Sequence, residues 1–300
     1  MLLVKGDLEQ LKGNLMVEYA EPNFRVYAFD ANPVNPKPRP TPPDLSKLWG
    51  PKKIGAYDAW DEGFYGQGII VAVIDTGVDY THPALKRKVI KGYDFANKDA
   101  DPMDDHGHGT HVSGTIVGRK IGVAPRAKIL AIKFLDAQGG GDLAGAIDSI
   151  HYATTHGAKI QSNSWGGGGY SLALAEVIKE AIDAGVIFVA AAGNDSNNND
   201  VYPEYPCSYP GVISVAATDE NDELAFFSNY GEKAVHVAAP GVNIYSSVLD
   251  GKYDLYNGTS MATPHVSAAA AILLSAEVPM EEVKESLVKG SDPAELKVEA

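Results

Sequence analysis

The chain has 300 residues, 45% of them hydrophobic, which suits one large α/β domain with a short appendage. Its 39 acidic against 25 basic residues give a formal net charge of −14, which opposes binding to nucleic acid or to an anionic membrane. The single cysteine, Cys207, excludes an internal disulfide, and no apolar run approaches the roughly 20 residues that span a bilayer.

Read from its start, MLLVKGD lacks the apolar length of a signal-peptide core. Residues Asn32 to Pro43, NPVNPKPRPTPP, hold too much proline for a helix or a central strand and read as an extended linker. The expected organisation is therefore an N-terminal segment 1–31, a linker 32–45, a main domain 46–290 and a polar tail 291–300. Within the main domain, apolar runs at Ile69 to Ile74, Ile129 to Ile132, Val186 to Ala190, Val212 to Ala217 and Val235 to Ala239 read as buried strands. Helical spacing marks His111 to Val117, then Leu143, Ile147 and Ile150, then Leu174 to Ile182 before the stop at Gly185. A further helix follows Pro279 in PMEEVKESLVKG. Strands alternating with helices predict a doubly wound α/β fold, its sheet mainly parallel with helices on both faces.

Three short segments carry chemistry. IDTGVD puts Asp75 where an apolar strand ends, so its carboxylate emerges at the sheet's C-terminal edge; a strand-end turn residue is the plainer reading. HGHGT puts His108 between glycines ahead of a helical stretch, as a proton shuttle, a surface residue or a metal ligand. GTSMATPH puts Ser260 at the start of a small-residue, aliphatic helix whose positive end faces whatever reacts there, with Pro264 fitting the first turn; a simple helix cap is the alternative.

Together, and in the order Asp, His, Ser, these segments resemble the subtilisin-like serine proteases (subtilases), from about Trp49 to about Val288. The resemblance implies a serine endopeptidase of broad specificity acting through an acyl-enzyme: Ser260 attacks, His108 carries the proton and Asp75 orients the imidazole. It also implies an oxyanion donor at Asn194, which follows Gly193 in VIFVAAAGN; a turn residue is the alternative. Gly139, Gly140 and Gly141 in GGGD, and Ser164, Trp165 and Gly166 in SWGG, resemble the two segments that hold an extended peptide, with Gly193 beside them. Gly168 and Gly169 read as plain loop. Glu204 falls where the family places the floor of the pocket for the residue before the scissile bond, and there it favours Lys or Arg, or else it is simply solvated. A catalytically silent subtilase fold that binds peptides, and a hydrolase of simple esters, stand as alternatives.

The family resemblance extends to two less compact features. LMVEYAEPNFRVYAF resembles the end of an inhibitory propeptide, a partner lying product-like in the cleft and removed by a cut in or near the linker. Asp94, Asn97, Asp99 and Asp101 in YDFANKDADPMDD resemble a structural calcium loop, a solvated acidic loop being the alternative. Ala84 in HPAL and the short Gly118 to Gly122 link depart from the family's usual calcium ligands. The implied setting is secretion, with the signal outside this chain, and an intracellular enzyme stays open. Polypeptides are the implied substrates.

Overall fold

The computed structural model describes Leu8, residues 17–29 and residues 43–292. Most of the proline-rich linker, and the tail from residue 293 onward, lie outside the described residues. From the start, the elements are β1 (Arg25–Ala28), α1 (Gly50–Lys53), α2 (Ala56–Asp61), β2 (Ile70–Asp75), β3 (Val89–Asp94), α3 (His108–Val117), β4 (Lys128–Lys133) and β5 (Gly140–Asp142). There follow α4 (Leu143–Thr155), β6 (Ile160–Asn163), β7 (Trp165–Gly166), α5 (Leu172–Asp183), β8 (Ile187–Ala191) and β9 (Ile213–Thr218). The series closes with β10 (Val237–Pro240), β11 (Ile244–Val248), β12 (Lys252–Tyr256), α6 (Thr259–Ser275) and α7 (Met280–Lys289).

Seven strands form one parallel sheet in the order β10-β9-β8-β6-β2-β4-β3. The fold is doubly wound α/β. Side chains alternate across the sheet, so successive residues of one strand enter different cores. Val71 and Val73 pack with Val112 and Ile116 of α3 and with Met261 and Val266 of α6. Ala72 and Ile74 pack with Leu143 and Ile147 of α4 and with Leu174 and Ile178 of α5. The chain enters this sheet at β2, places β3 and β4 on one side of it and then crosses to β6 on the other, which opens a crevice at the C-terminal ends of β2 and its neighbour β6.

The expected strands lie within two residues of those observed, while β3, β6 and the hairpin β11–β12 have no counterpart among them. Two helix starts also differ from expectation. α3 begins at His108, not His111, so the histidine opens the helix. Pro264 lies inside α6, beyond its first turn. The N–H it lacks is one that would have bonded the Ser260 carbonyl, four residues back; that carbonyl accepts instead from the Ser164 hydroxyl at 3.0 Å. Among the described residues no helix is long and apolar enough to cross a membrane.

Candidate active site

At the crevice, β2 ends on Asp75 and α3 starts on His108, both side chains fully buried. Their approach depends on Gly109: a Cβ there would sit 2.1 Å from the Gly77 carbonyl oxygen and 3.1 Å from Asp75 Oδ1. With that space clear, His108 Nδ1 lies 2.7 Å from Asp75 Oδ1, which also accepts the Thr76 N–H at 2.7 Å. An ionised carboxylate only accepts, so Nδ1 carries the proton and Nε2 is the basic atom of the ring.

A polar frame holds the pair. The Thr76 hydroxyl donates to Asp104 Oδ1 and accepts from the N–H of Gly109, each at 2.9 Å. Asp104 also accepts the N–H groups of His106, Gly107 and Thr110. Burial pushes its carboxyl up, against the downward pull of the Thr110 hydroxyl and those N–H groups. Lys133, buried at the end of β4, donates to the carbonyls of Thr76 (2.9 Å) and Leu135 (2.8 Å) and pairs with Asp105 at 2.6 Å.

Ser260 is the second residue of α6, after Gly258 at φ 152°, and is fully buried. Its hydroxyl donates to the Ser164 carbonyl at 3.0 Å. Ser164 directly follows β6, the neighbour of β2, and α3 packs on α6, so hydroxyl and imidazole share one rim of the sheet. Asn194, just beyond β8, is tied to the same helix end: its Oδ1 accepts from the Thr259 N–H at 2.9 Å and the Thr259 hydroxyl at 2.8 Å. Those two donors fix the orientation of the amide. Its Nδ2 then donates to the backbone carbonyl of Phe29 at 3.2 Å.

Phe29 arrives on β1, which is antiparallel to β5 on one side and to β7 on the other. Tyr27 pairs with Gly140 and with Gly166, Val26 with Gly141, and Ala28 with Trp165. At the end of the strand the Ala28 N–H donates to the Gly139 carbonyl at 2.8 Å, and just past it the Phe29 N–H donates to the Ser164 carbonyl at 3.3 Å. The Phe29 ring lies on Gly166, where a Cβ would come within 2.3 Å of Cζ. Phe24 similarly covers Gly168, so that glycine accommodates a ring and is not simply open loop. Glu204 Oε1 accepts the Gly167 N–H at 2.9 Å, and its Cγ lies 3.4 Å from where a Gly193 Cβ would be. Burial holds the Glu204 carboxyl above its ordinary range.

The Thr76, Asp104 and Lys133 frame is not among the sequence candidates, and Ser164 stands there only as a cleft residue. Phe29 is the last residue of LMVEYAEPNFRVYAF, the segment that resembles a propeptide end, and its sequence does not single it out within that segment.

Asp94, Asn97, Asp99 and Asp101 share one loop, in which Asp94 and Asp99 each donate a backbone N–H to the other's carbonyl, at 2.9 and 3.1 Å. Asp94 takes the Asn97 backbone and side-chain amides at 2.8 and 2.9 Å, Asp99 takes the Asp101 N–H at 2.8 Å, and Asp101 faces Lys91 and Tyr80. A calcium ion here would take six to eight oxygens around one point, carbonyls as well as carboxylates. Among the described residues no three His, Cys, Asp or Glu side chains group so as to hold a metal. Cys207 is buried, and burial pushes its thiol up to about 12, so it is a packing residue and not a nucleophile.

The sequence profile of the subtilase family matches residues 66–294. A thermophilic serine proteinase from Bacillus sp. (strain AK1) is 41% identical over 298 residues, covering 96% of this chain and 71% of that protein. Thermitase of Thermoactinomyces vulgaris is 42% identical over 236 residues, covering 77% and 83%. Among solved structures, that of a cold adapted subtilisin-like serine proteinase superposes with a TM-score of 0.74 at 35% identity, covering 78% of this chain and 86% of the other.

Proposed function

Since the chain belongs to the subtilase family and is a serine endopeptidase, we propose that Asp75, His108 and Ser260 are its catalytic triad, with Asn194 as an oxyanion donor. We further propose that the first bond cut is Phe29–Asp30 of its own chain. In this reading Ser260 Oγ attacks the Phe29 carbonyl carbon and His108 Nε2 takes the hydroxyl proton. The C–N bond then breaks, and His108 hands that proton to the leaving Asp30 amine. Water hydrolyses the resulting acyl-enzyme by the same proton route in reverse. Asp75 keeps the imidazole in the required tautomer and supports its cation.

One observation carries the reading: the Phe29 carbonyl oxygen lies 3.2 Å from Asn194 Nδ2 while the chain leading to it is paired on both edges, by β5 and β7. A peptide carbonyl thus already sits on a donor placed at the buried start of α6, beside the serine. The stretch ending on Phe29 accordingly occupies the cleft until the segment is cut away. Because β5 and β7 hold β1 through main-chain pairing, the same track accepts polypeptides of varied sequence. The Phe29 ring on Gly166 supports an aromatic preference before the scissile bond.

Two proteins test this, the parent chain and Ser260→Ala. The parent is expected to yield a species beginning at Asp30 by mass spectrometry, to hydrolyse casein and to take up a fluorophosphonate. Ser260→Ala is expected to stay intact and to do neither. Identical N-termini in the two proteins would overturn the cleavage, and a casein-active Ser260→Ala would overturn the nucleophile.

A further inference from the structure

Upstream of β1 the N-terminal segment makes a second set of contacts, away from the serine. Glu21, eight residues before Phe29, sets its carboxylate on the first turn of α5. Oε1 accepts from the Ser171 hydroxyl and from the Ala173 N–H at 3.2 Å, and Oε2 accepts from the Leu172 N–H at 3.1 Å. Two residues later, Asn23 joins the start of α4: its Oδ1 accepts the Ala144 N–H at 3.0 Å and its Nδ2 donates to Asp142 at 3.1 Å. The Phe24 carbonyl accepts the Leu143 N–H at 2.9 Å, and the chain then enters the cleft as β1. The stretch from Glu21 to Phe29 is therefore held in one register from helix start to serine.

The three donors to Glu21 belong to the catalytic domain and are set independently of it. Ser171 is fully buried; its N–H donates to the Tyr209 hydroxyl and its carbonyl accepts from that hydroxyl, both at 2.9 Å. Its Oγ also accepts the Leu174 N–H at 3.1 Å, capping the helix. The site is thus more than a helix end with spare N–H groups, since a carboxylate is seated on it by a segment that continues to the nucleophile. With a net charge of −14 the protein exerts no long-range pull on acidic peptides, so any selection there works by contact.

The geometry points to a carboxylate-binding exosite at Ser171 to Ala173 that selects polypeptide substrates with an acidic side chain at the ninth residue before the scissile bond. It rests on the reading of Phe29–Asp30 as a cleaved bond. Once the segment leaves, the next polypeptide in the cleft meets the same three donors.

The test alters the substrate, so the enzyme's folding is not at stake. Full-length protein, after processing itself, is assayed on a peptide copying residues 17–36, on that peptide with Glu21→Gln, and on a shorter copy of residues 22–36 that keeps Asn23 and Phe24. The Gln peptide is expected to show KM raised about tenfold with kcat unchanged, the scale of losing one charge-assisted contact set. The short peptide is expected to match the Gln peptide. Equal KM for the Glu and Gln peptides, both cut after Phe29, would overturn the exosite alone. No cut after Phe29 in any peptide would overturn the cleavage reading and the exosite with it.

Discussion

Ser164 and Ser260 exchange hydrogen bonds: the hydroxyl of each donates to the backbone carbonyl of the other, both at 3.0 Å. Pro264 makes the exchange necessary, because it removes the helical donor the Ser260 carbonyl would otherwise use. Ser164→Ala leaves that buried carbonyl without either donor, at a cost of about 1–3 kcal/mol. Each kcal/mol lowers Tm by roughly 2–4 °C in a domain of this size. The Ser164 carbonyl is kept, so Ser260 Oγ and the Phe29 N–H retain their acceptor, and kcat/KM on peptides is expected to fall less than tenfold. Calorimetry beside a peptide assay checks both; an unchanged Tm shows that the exchange contributes nothing to stability.

Asn194 has two duties that a single substitution removes together. Its Oδ1 gathers the Thr259 N–H and hydroxyl, and its Nδ2 meets the peptide carbonyl. Asn194→Ala is expected to lower kcat by about 10²–10³ with little change in KM, a magnitude taken from loss of one such donor in subtilisin, a family relative. Steady-state kinetics on a Phe-ended peptide reads this directly. A loss confined to KM would show that Nδ2 serves ground-state binding instead.

The strands legible in the sequence are those with an unbroken apolar stretch of three or more residues. β2, β4, β8 and β9 are buried on both faces, and a strand in that position reads as an unbroken apolar run. β6 is equally buried yet reads IQSN, because its polar side chains find partners inside: Gln161 donates to the Ile150 carbonyl, Asn163 to the Val189 carbonyl, and Ser162 accepts from Ser267. The hairpin β11–β12 hides in the same way, its Ser246 and Ser247 hydroxyls donating to the His111 and Thr110 carbonyls. β3 stands at the sheet edge with exposed Lys91 and carries too mixed a pattern to stand out. Asp75, His108, Asn194 and Ser260 each read alone as a turn, loop or cap residue, and stand out only when their segments are taken together as a resemblance to the subtilases. Phe29 is legible only as the end of LMVEYAEPNFRVYAF, because the residues that meet it, Gly166, Asn194 and Ser164, lie more than a hundred residues away in the chain.

Lys133 is buried among three acceptors, and two of them, Thr76 and Asp105, belong to the loops that carry Asp75 and His108. Lys133→Met keeps the aliphatic bulk but leaves the Thr76 and Leu135 carbonyls without this donor. The expected loss is roughly 2–4 kcal/mol, most of it from the orphaned carbonyls. Asp105 is half exposed, so Asp105→Asn is expected to cost under about 1 kcal/mol. Denaturant unfolding of the two variants checks the ordering. Equal losses would place the energy in the ion pair and not in the carbonyls.

Glu204 offers a pH test that separates pocket charge from catalysis. Burial is the main cause that raises its carboxyl above the ordinary 4.5, with a smaller push from Asp195; the Gly167 N–H pulls the other way. Between 4.5 and the raised value, the folded protein keeps a proton the unfolded chain has lost. The unfolded state then binds fewer protons, so this group's contribution to stability declines as pH rises through that window. Over the same window the side chain passes from neutral to anionic. If it faces the residue before the scissile bond, the ratio of kcat/KM for Lys-ended over Phe-ended peptides rises with pH. Any pH effect on the shared catalytic steps acts on both peptides alike and cancels in the ratio. Glu204→Gln keeps an acceptor for the Gly167 N–H while removing the charge, so its ratio is expected to stay flat across the same pH range. A parent ratio as flat as that of the variant would place the carboxylate outside the pocket and leave it only its bond to Gly167.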